Sequence, residues 1–269
     1  MNYQLVALDL DGTLLTDDKR ITTGTKVLLE RLQREGIYIA ICTGRAALSV
    51  RRLLQDQPFA SHFITDNGGT IKDIETGQVL YSNTIPRSYL AVMKQVMETF
   101  GVHIDVTTEK YIYVEVLTDD MQKKYGEYLI KPKAIGDLRQ VPIEPLKFTI
   151  SGEPSLLDNL VSQLNEQYGS DLKFVRSGEY FIDIMKAGTT KGKALSMLAD
   201  HLQIAKNNVI AMGNYYNDVE MLRYAGLGIA MDNSPAELKA IADEVTLSNN
   251  EEGVRLALEK HLMSDRIVR

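Results

Sequence analysis

The chain has 269 residues, 44% of them hydrophobic and 25% charged, which supplies a sizeable core and argues against long disordered stretches. A formal net charge of -6 with no basic run leaves no electrostatic footprint for nucleic acid as a partner. No segment reaches the roughly 18 apolar residues of a membrane span, no basic-then-apolar leader opens the chain, and the single cysteine, Cys42, permits no intrachain disulfide, so a cytoplasmic protein without a membrane partner is expected.

Residues 5–10 form an apolar run broken only by Asp9, and the run stops at Asp11, Gly12 and Thr13. Such a run suits a strand covered on both faces, as in a parallel sheet. An acid inside it carries a desolvation cost of several kcal/mol unless it is paired, hydrogen-bonded or on a metal. Asp9 therefore needs a partner.

Thr22 or Thr23 can cap a helix whose apolar positions Val27, Leu28, Leu29 and Leu32 fall at helical spacing, with Gly36 as its stop. Residues 37–42 then read as a second buried strand, which makes a β-α-β unit with parallel strands. That strand ends in Thr43, Gly44 and Arg45, before a helix through Leu48, Leu53 and Leu54. Ligands bind outside the carboxyl ends of parallel strands, which is where Asp9, Asp11 and Thr43 fall. A threonine hydroxyl with adjacent N–H groups suits anionic oxygens there, although Thr43 would serve equally as a helix N-cap. A third strand at 62–65 leads into Asp66, Asn67, Gly68 and Gly69, and residues 70–83 read as a hairpin. Asn67 and the glycines are turn residues first.

From Pro86 the pattern changes. A helix over 86–101 precedes alternating segments at 102–106 and 111–116, a helix around 121–129, a strand at 146–150, a helix over 154–168 and alternating segments at 172–175 and 180–184. Alternation marks strands with one solvated face, so this stretch reads as an α+β module. It shows no paired acids and no histidine cluster, so covering and selecting is its expected work. From Gly188 the buried-strand pattern returns, with helices over 191–202, 218–224 and 252–262 and another after Pro235, and strands at 209–212, 227–230 and 245–247. The fold class is α/β: a Rossmann-like parallel-sheet core, residues 1–85 and 186–269, with an inserted α+β cap domain at 86–185.

Lys191 stands at the start of a helix, where a cation is unfavourable against the dipole. The strand at 209–212 ends in Gly213, Asn214, Tyr215, Tyr216, Asn217 and Asp218, again at a strand terminus leading into a helix. Together with Asp9-Leu10-Asp11-Gly12-Thr13, Thr43-Gly44-Arg45, Asn67-Gly68, Lys191-Gly192 and Ser248-Asn249, these motifs resemble, in order and over nearly the whole chain, the haloacid dehalogenase superfamily. The closer likeness is to the Cof-type phosphatases, whose C2 (IIB) cap is inserted after the third core strand.

The resemblance implies a Mg²⁺-dependent phosphatase acting on small phosphorylated metabolites, such as sugar phosphates, through an aspartyl-phosphate. Asp9 would be the nucleophile and a metal ligand, and Asp11 the general acid and base, its carbonyl also on the metal. Thr43 with Gly44, Arg45 and Asn217 would bind the phosphoryl group or substrate. Lys191 would neutralise developing charge, and Asn214 and Asp218 would complete the metal site. The family carries an acid at the position of Asn214. An amide oxygen can ligate Mg²⁺ but brings no charge, so weaker metal binding is expected. Phosphomutase activity and a noncatalytic metabolite-binding role are the alternative readings; a receiver-type signalling domain fits the motif order poorly. Nothing in the residues fixes an oligomeric state.

Overall fold

The computed structural model describes residues 3–54, 57–127 and 129–263. They form two compact units, one from residues 1–44, 55–81 and 190–269 and one from residues 45–54 and 82–189. The boundaries expected from sequence, 1–85 with 186–269 and 86–185, counted residues 45–54 with the first unit. The helix Ala47–Leu53 belongs to the second, where Arg52 Nη1 donates to the carbonyl of Leu129 at 2.6 Å.

The first unit is built on an eight-stranded sheet in the order Glu244–Val245, Leu227–Ala230, Val209–Gly213, Leu5–Asp9, Tyr38–Cys42, His62–Thr65, Thr70–Asp73, Val79–Ser82. The first six run parallel and Thr70–Asp73 turns antiparallel. The central strands are apolar because both faces are covered: every residue of Leu5–Asp9 and of Val209–Gly213 is buried. Cys42 is fully buried among them, a small core residue.

Helix Thr23–Arg34 starts where Thr22 accepts a hydrogen bond from the Thr25 N–H at 3.3 Å, and ends before Gly36, whose φ of 85° only glycine adopts freely. Leu28, Leu29 and Leu32 are its buried apolar positions. Val27, expected on the same face, is 57% exposed; it precedes Leu28 by 100° of helical rotation and falls off the apolar stripe. Helix Lys191–His201 packs Ala194, Leu195, Leu198 and Ala199 onto the sheet.

The second unit has a six-stranded sheet in the order Leu172–Gly178, Phe181–Lys186, Lys147–Ser151, His103–Thr107, Ile112–Val114, Lys133–Ala134. Its neighbouring strands are antiparallel except the last pair. The edge strand Lys133–Ala134 has both residues exposed and no apolar period to announce it. Helices Ser88–Phe100 and Pro154–Tyr168 bury Leu90, Met93, Val96, Leu157, Leu160 and Leu164 against Ile104, Val106, Phe148, Ile150, Ile182 and Ile184.

The residues that alternate with those strand positions are polar yet buried. Asp105 and Asp183 both stand opposite Thr149 across adjacent strands. Lys147 Nζ lies 3.3 Å from Asp183 Oδ2, and Tyr125 Oη, 3.1 Å from His103 Nε2, donates to Asp105 Oδ2 at 3.0 Å. This stretch, expected to hold no paired acids, places two aspartates 78 positions apart in the chain on either side of Thr149 through strand register.

Candidate active site

Asp9 closes the first strand and pairs in register with Cys42, so Thr43 follows at the same sheet edge. Both side chains are buried, at 5% and 2% exposure. Thr43 is anchored through its backbone, its N–H donating to Ile64 O at 2.8 Å and its carbonyl accepting from the Asn67 N–H at 3.0 Å. On the other flank, Met212 stands opposite Leu8, one residue before Gly213 ends its strand. Thr190 caps the next helix by accepting from the Lys193 N–H at 3.1 Å, which leaves Lys191 as the first helical residue.

Lys191 is not a surface lysine. Its side chain is fully buried, and Nζ lies 2.6 Å from Asp9 Oδ1 and 2.7 Å from Asp218 Oδ1. Burial opposes its charge, but the two carboxylates outweigh it and hold the ammonium above the ordinary lysine range. One cation thus serves two buried anions. Burial first, and then the charge of Asp218, push the Asp9 carboxyl up to about 7 against the pull of Lys191. The triad lacks one positive charge.

Asp218, expected as a direct metal ligand, turns its carboxylate elsewhere. Its Oδ2 accepts from the N–H groups of Asn214 at 2.9 Å and Tyr215 at 3.0 Å, while Oδ1 receives Lys191. It shapes the loop and orients the lysine.

The oxygen cluster lies on the other side of Asp9. One polar atom of the Asn214 side-chain amide sits 3.0 Å from the Asp11 carbonyl oxygen, 3.1 Å from Asp9 Oδ2 and 3.2 Å from Thr13 Oγ1. With nitrogen in that place the amide donates to these oxygens; with oxygen there it accepts from Thr13 Oγ1 and converges with the other oxygens. Magnesium holds oxygen ligands at about 2.0–2.1 Å in an octahedron, which sets neighbouring ligands about 2.9 Å apart. Asp9, the Asp11 carbonyl and Asn214 thus have the chemistry such an ion requires, and the inward atom of Asn214 stands at that spacing from both of the other two. No group of three or more His, Cys, Asp or Glu side chains among the described residues could hold a metal, because this set draws on an amide and a backbone carbonyl.

Asp11 lies on the turn made by Gly12, whose φ is 78°. Its carboxylate, 37% exposed, pairs with Lys19 Nζ at 2.9 Å. Asn217 Nδ2 donates to Asn67 Oδ1 at 2.9 Å, and a Cβ added at Gly44 would stand 3.0 Å from that same oxygen. Gly44, Asn67 and Asn217 therefore line one stretch of the edge, and Asn67 holds a left-handed φ of 56° to reach it. Arg45 lies in the second unit, where Nη1 donates to Ser49 Oγ at 3.4 Å. The sequence assigns no site role to Thr13 or Lys19 and offers Asn67 as a turn residue that could serve a ligand. Thr13 stood within the opening motif and Asn67 beside a glycine pair, whereas nothing marked Lys19.

A family model described as haloacid dehalogenase-like hydrolase matches residues 6–258. The chain is 33% identical to a 5-amino-6-(5-phospho-D-ribitylamino)uracil phosphatase of Bacillus subtilis, YwtE, over 96% of this chain and 97% of that protein. It is 29% identical to a second Bacillus subtilis phosphatase of that name, YitU, over 96% and 97%. Among solved structures, a haloacid dehalogenase-like hydrolase from Bacteroides thetaiotaomicron superposes with a TM-score of 0.89 at 29% identity, covering 96% of this chain and 99% of the other. A subclass IIB sugar phosphatase of the superfamily gives 0.81 at 25% identity, covering 96% and 98%. The chain belongs to the haloacid dehalogenase-like hydrolases and is a Cof-type phosphatase.

Proposed function

We propose that the protein hydrolyses phosphomonoesters of small polyhydroxylated metabolites, sugar phosphates foremost, with Mg²⁺ and through an aspartyl-phosphate. The observation that carries this reading is the buried Lys191 shared between Asp9 and Asp218 at the carboxyl end of a parallel sheet. Relatives that act as 5-amino-6-(5-phospho-D-ribitylamino)uracil phosphatases and as a sugar phosphatase support the substrate class.

In this mechanism Asp9 Oδ1 attacks phosphorus and the bond to the leaving oxygen breaks, while Asp11 gives its proton to the departing alkoxide. Asp11, now a carboxylate, takes a proton from water. That water attacks phosphorus, releasing inorganic phosphate and restoring Asp9. Lys191 offsets the charge that accumulates on the phosphoryl oxygens, and Thr43, Gly44 and Asn217 hold those oxygens at the sheet edge. When bound, Mg²⁺ supplies the positive charge the triad lacks and lets an anionic carboxylate approach an anionic phosphate. Asp9 Oδ2, the Asp11 carbonyl and Asn214 would hold it. Asp218 acts through Lys191 and the loop. Substrate selection is assigned to the inserted module of residues 86–185.

Phosphate release from p-nitrophenyl phosphate, with and without Mg²⁺, tests the proposal beside an Asp9→Asn variant. Release that depends on Mg²⁺ and vanishes in the variant is expected; equal release by the variant removes Asp9 as nucleophile.

A further inference from the structure

We propose that Asn214 is a two-position amide that closes the cation site when no cation is bound and opens it by rotating about its terminal torsion. The inference rests on the reading of Asp9, the Asp11 carbonyl and Asn214 as a cation site. A half-turn of the amide exchanges Nδ2 and Oδ1 without moving the backbone. With nitrogen inward, two N–H groups face three acceptors, Asp11 O, Asp9 Oδ2 and Thr13 Oγ1, at 3.0 to 3.2 Å. With oxygen inward, Thr13 Oγ1 donates to it, and the remaining oxygens can share a hard cation. Space for both positions comes from Gly12: any Cβ there would run into the Asn214 amide, and its φ of 78° keeps other residues out.

An aspartate at this position could perform only half of this. Without a cation its carboxylate would face Asp9 Oδ2 and the Asp11 carbonyl at about 3 Å with no proton between them, and like charges at that distance repel. With a cation it would add a full negative charge that the amide lacks. Asn214 therefore trades cation affinity for a sheet edge that stays hydrogen-bonded when metal-free. The cation must displace those amide hydrogen bonds before it gains its ligand.

Calorimetric titration of Mg²⁺ into the wild-type protein and an Asn214→Asp variant, with melting curves of both in EDTA and in Mg²⁺, tests this without reference to turnover. The variant is expected to bind Mg²⁺ at least about tenfold more tightly, to melt below the wild type in EDTA, and to gain more from Mg²⁺. In ¹⁵N-labelled wild-type protein, the side-chain amide pair that disappears in Asn214→Ala should shift as Mg²⁺ is added. This reading decides the question even if Asn214→Asp does not fold without metal. Equal affinity in the two proteins, or an amide pair unmoved at saturation, overturns the two-position amide while leaving the cation site in place. Failure of both proteins to bind Mg²⁺ removes the cation site itself and the proposal with it.

Discussion

Lys191 and Asp218 form an ion pair with no solvent exposure on either side chain, Nζ to Oδ1 at 2.7 Å, and the same ammonium reaches Asp9 at 2.6 Å. Breaking a buried pair from one side leaves the other charge without compensation, which costs about 3–5 kcal/mol. A Lys191→Met substitution preserves the chain length and leaves two buried carboxylates facing each other. Urea denaturation is expected to show a loss of that size or larger, with phosphate release abolished. A variant as stable as the wild type would mean that the ammonium does not hold the two acids.

Asp9→Asn should act in the opposite direction on stability. Burial and the neighbouring Asp218 charge push the Asp9 carboxyl up to about 7, so at neutral pH this acid is held at a cost. Replacing it with an amide removes the excess negative charge and keeps an oxygen for Lys191. The urea midpoint at pH 8 is expected to equal or exceed that of the wild type while activity disappears, since sites arranged for chemistry trade stability for it. A clear drop in midpoint would show that Asp9 stabilises the fold.

The core and the sheet-edge position of Asp9, Thr43 and Asn214 were legible because both follow from local rules. Apolar runs of five or six residues identify buried strands, and polar residues at their ends fall on one edge by the parallel topology, which puts Asp9, Thr43 and Asn214 there before any side chain is placed, while Lys191 joins them from the first turn of a helix. What escaped depended on register and on backbone exceptions. Asp105 and Asp183 become neighbours only because both strands pair with Lys147–Ser151. Lys133–Ala134 joins a sheet without an apolar residue larger than alanine. Asp218 was read as a metal ligand from its place in a motif, but its oxygens go to Lys191 and two N–H groups, a distinction of direction that spacing does not carry.

Asn67 tests how far a backbone exception matters. It combines a left-handed φ of 56° with a side-chain hydrogen bond from Asn217 at 2.9 Å. Asn67→Ala loses both the local tolerance of that conformation and the bond, about 2 kcal/mol in total. Asn67→Gly restores the backbone but not the bond, and should recover roughly half. Both variants should raise KM for a phosphate ester alike, because the loss of Asn217 orientation is common to them. A glycine variant with wild-type KM would show that the Asn67 side chain is not needed to place Asn217.

The second unit carries the clearest pH signature. Burial, reinforced by Asp183 and opposed by Lys147 and by hydrogen bonds from Tyr125 and Thr149, pushes the Asp105 carboxyl from 3.8 up to about 7. The folded state therefore binds this proton more tightly than the unfolded state. The resulting stability is present in full below pH 4, is lost as pH rises from there to about 7, and stays lost above it. The loss at pH 8 is at most about 4 kcal/mol. His103, 3.1 Å from the same tyrosine hydroxyl, is held below the ordinary histidine range by burial and weakens the fold as pH falls, so the total curve mixes two opposed effects. The difference between wild type and Asp105→Asn isolates the acid. The asparagine still accepts from Tyr125, so the two proteins should have similar urea midpoints near pH 4, and the variant should pull ahead between pH 5 and 8. Parallel curves across that range would place the Asp105 titration outside it and show that the buried network carries its charge at no cost.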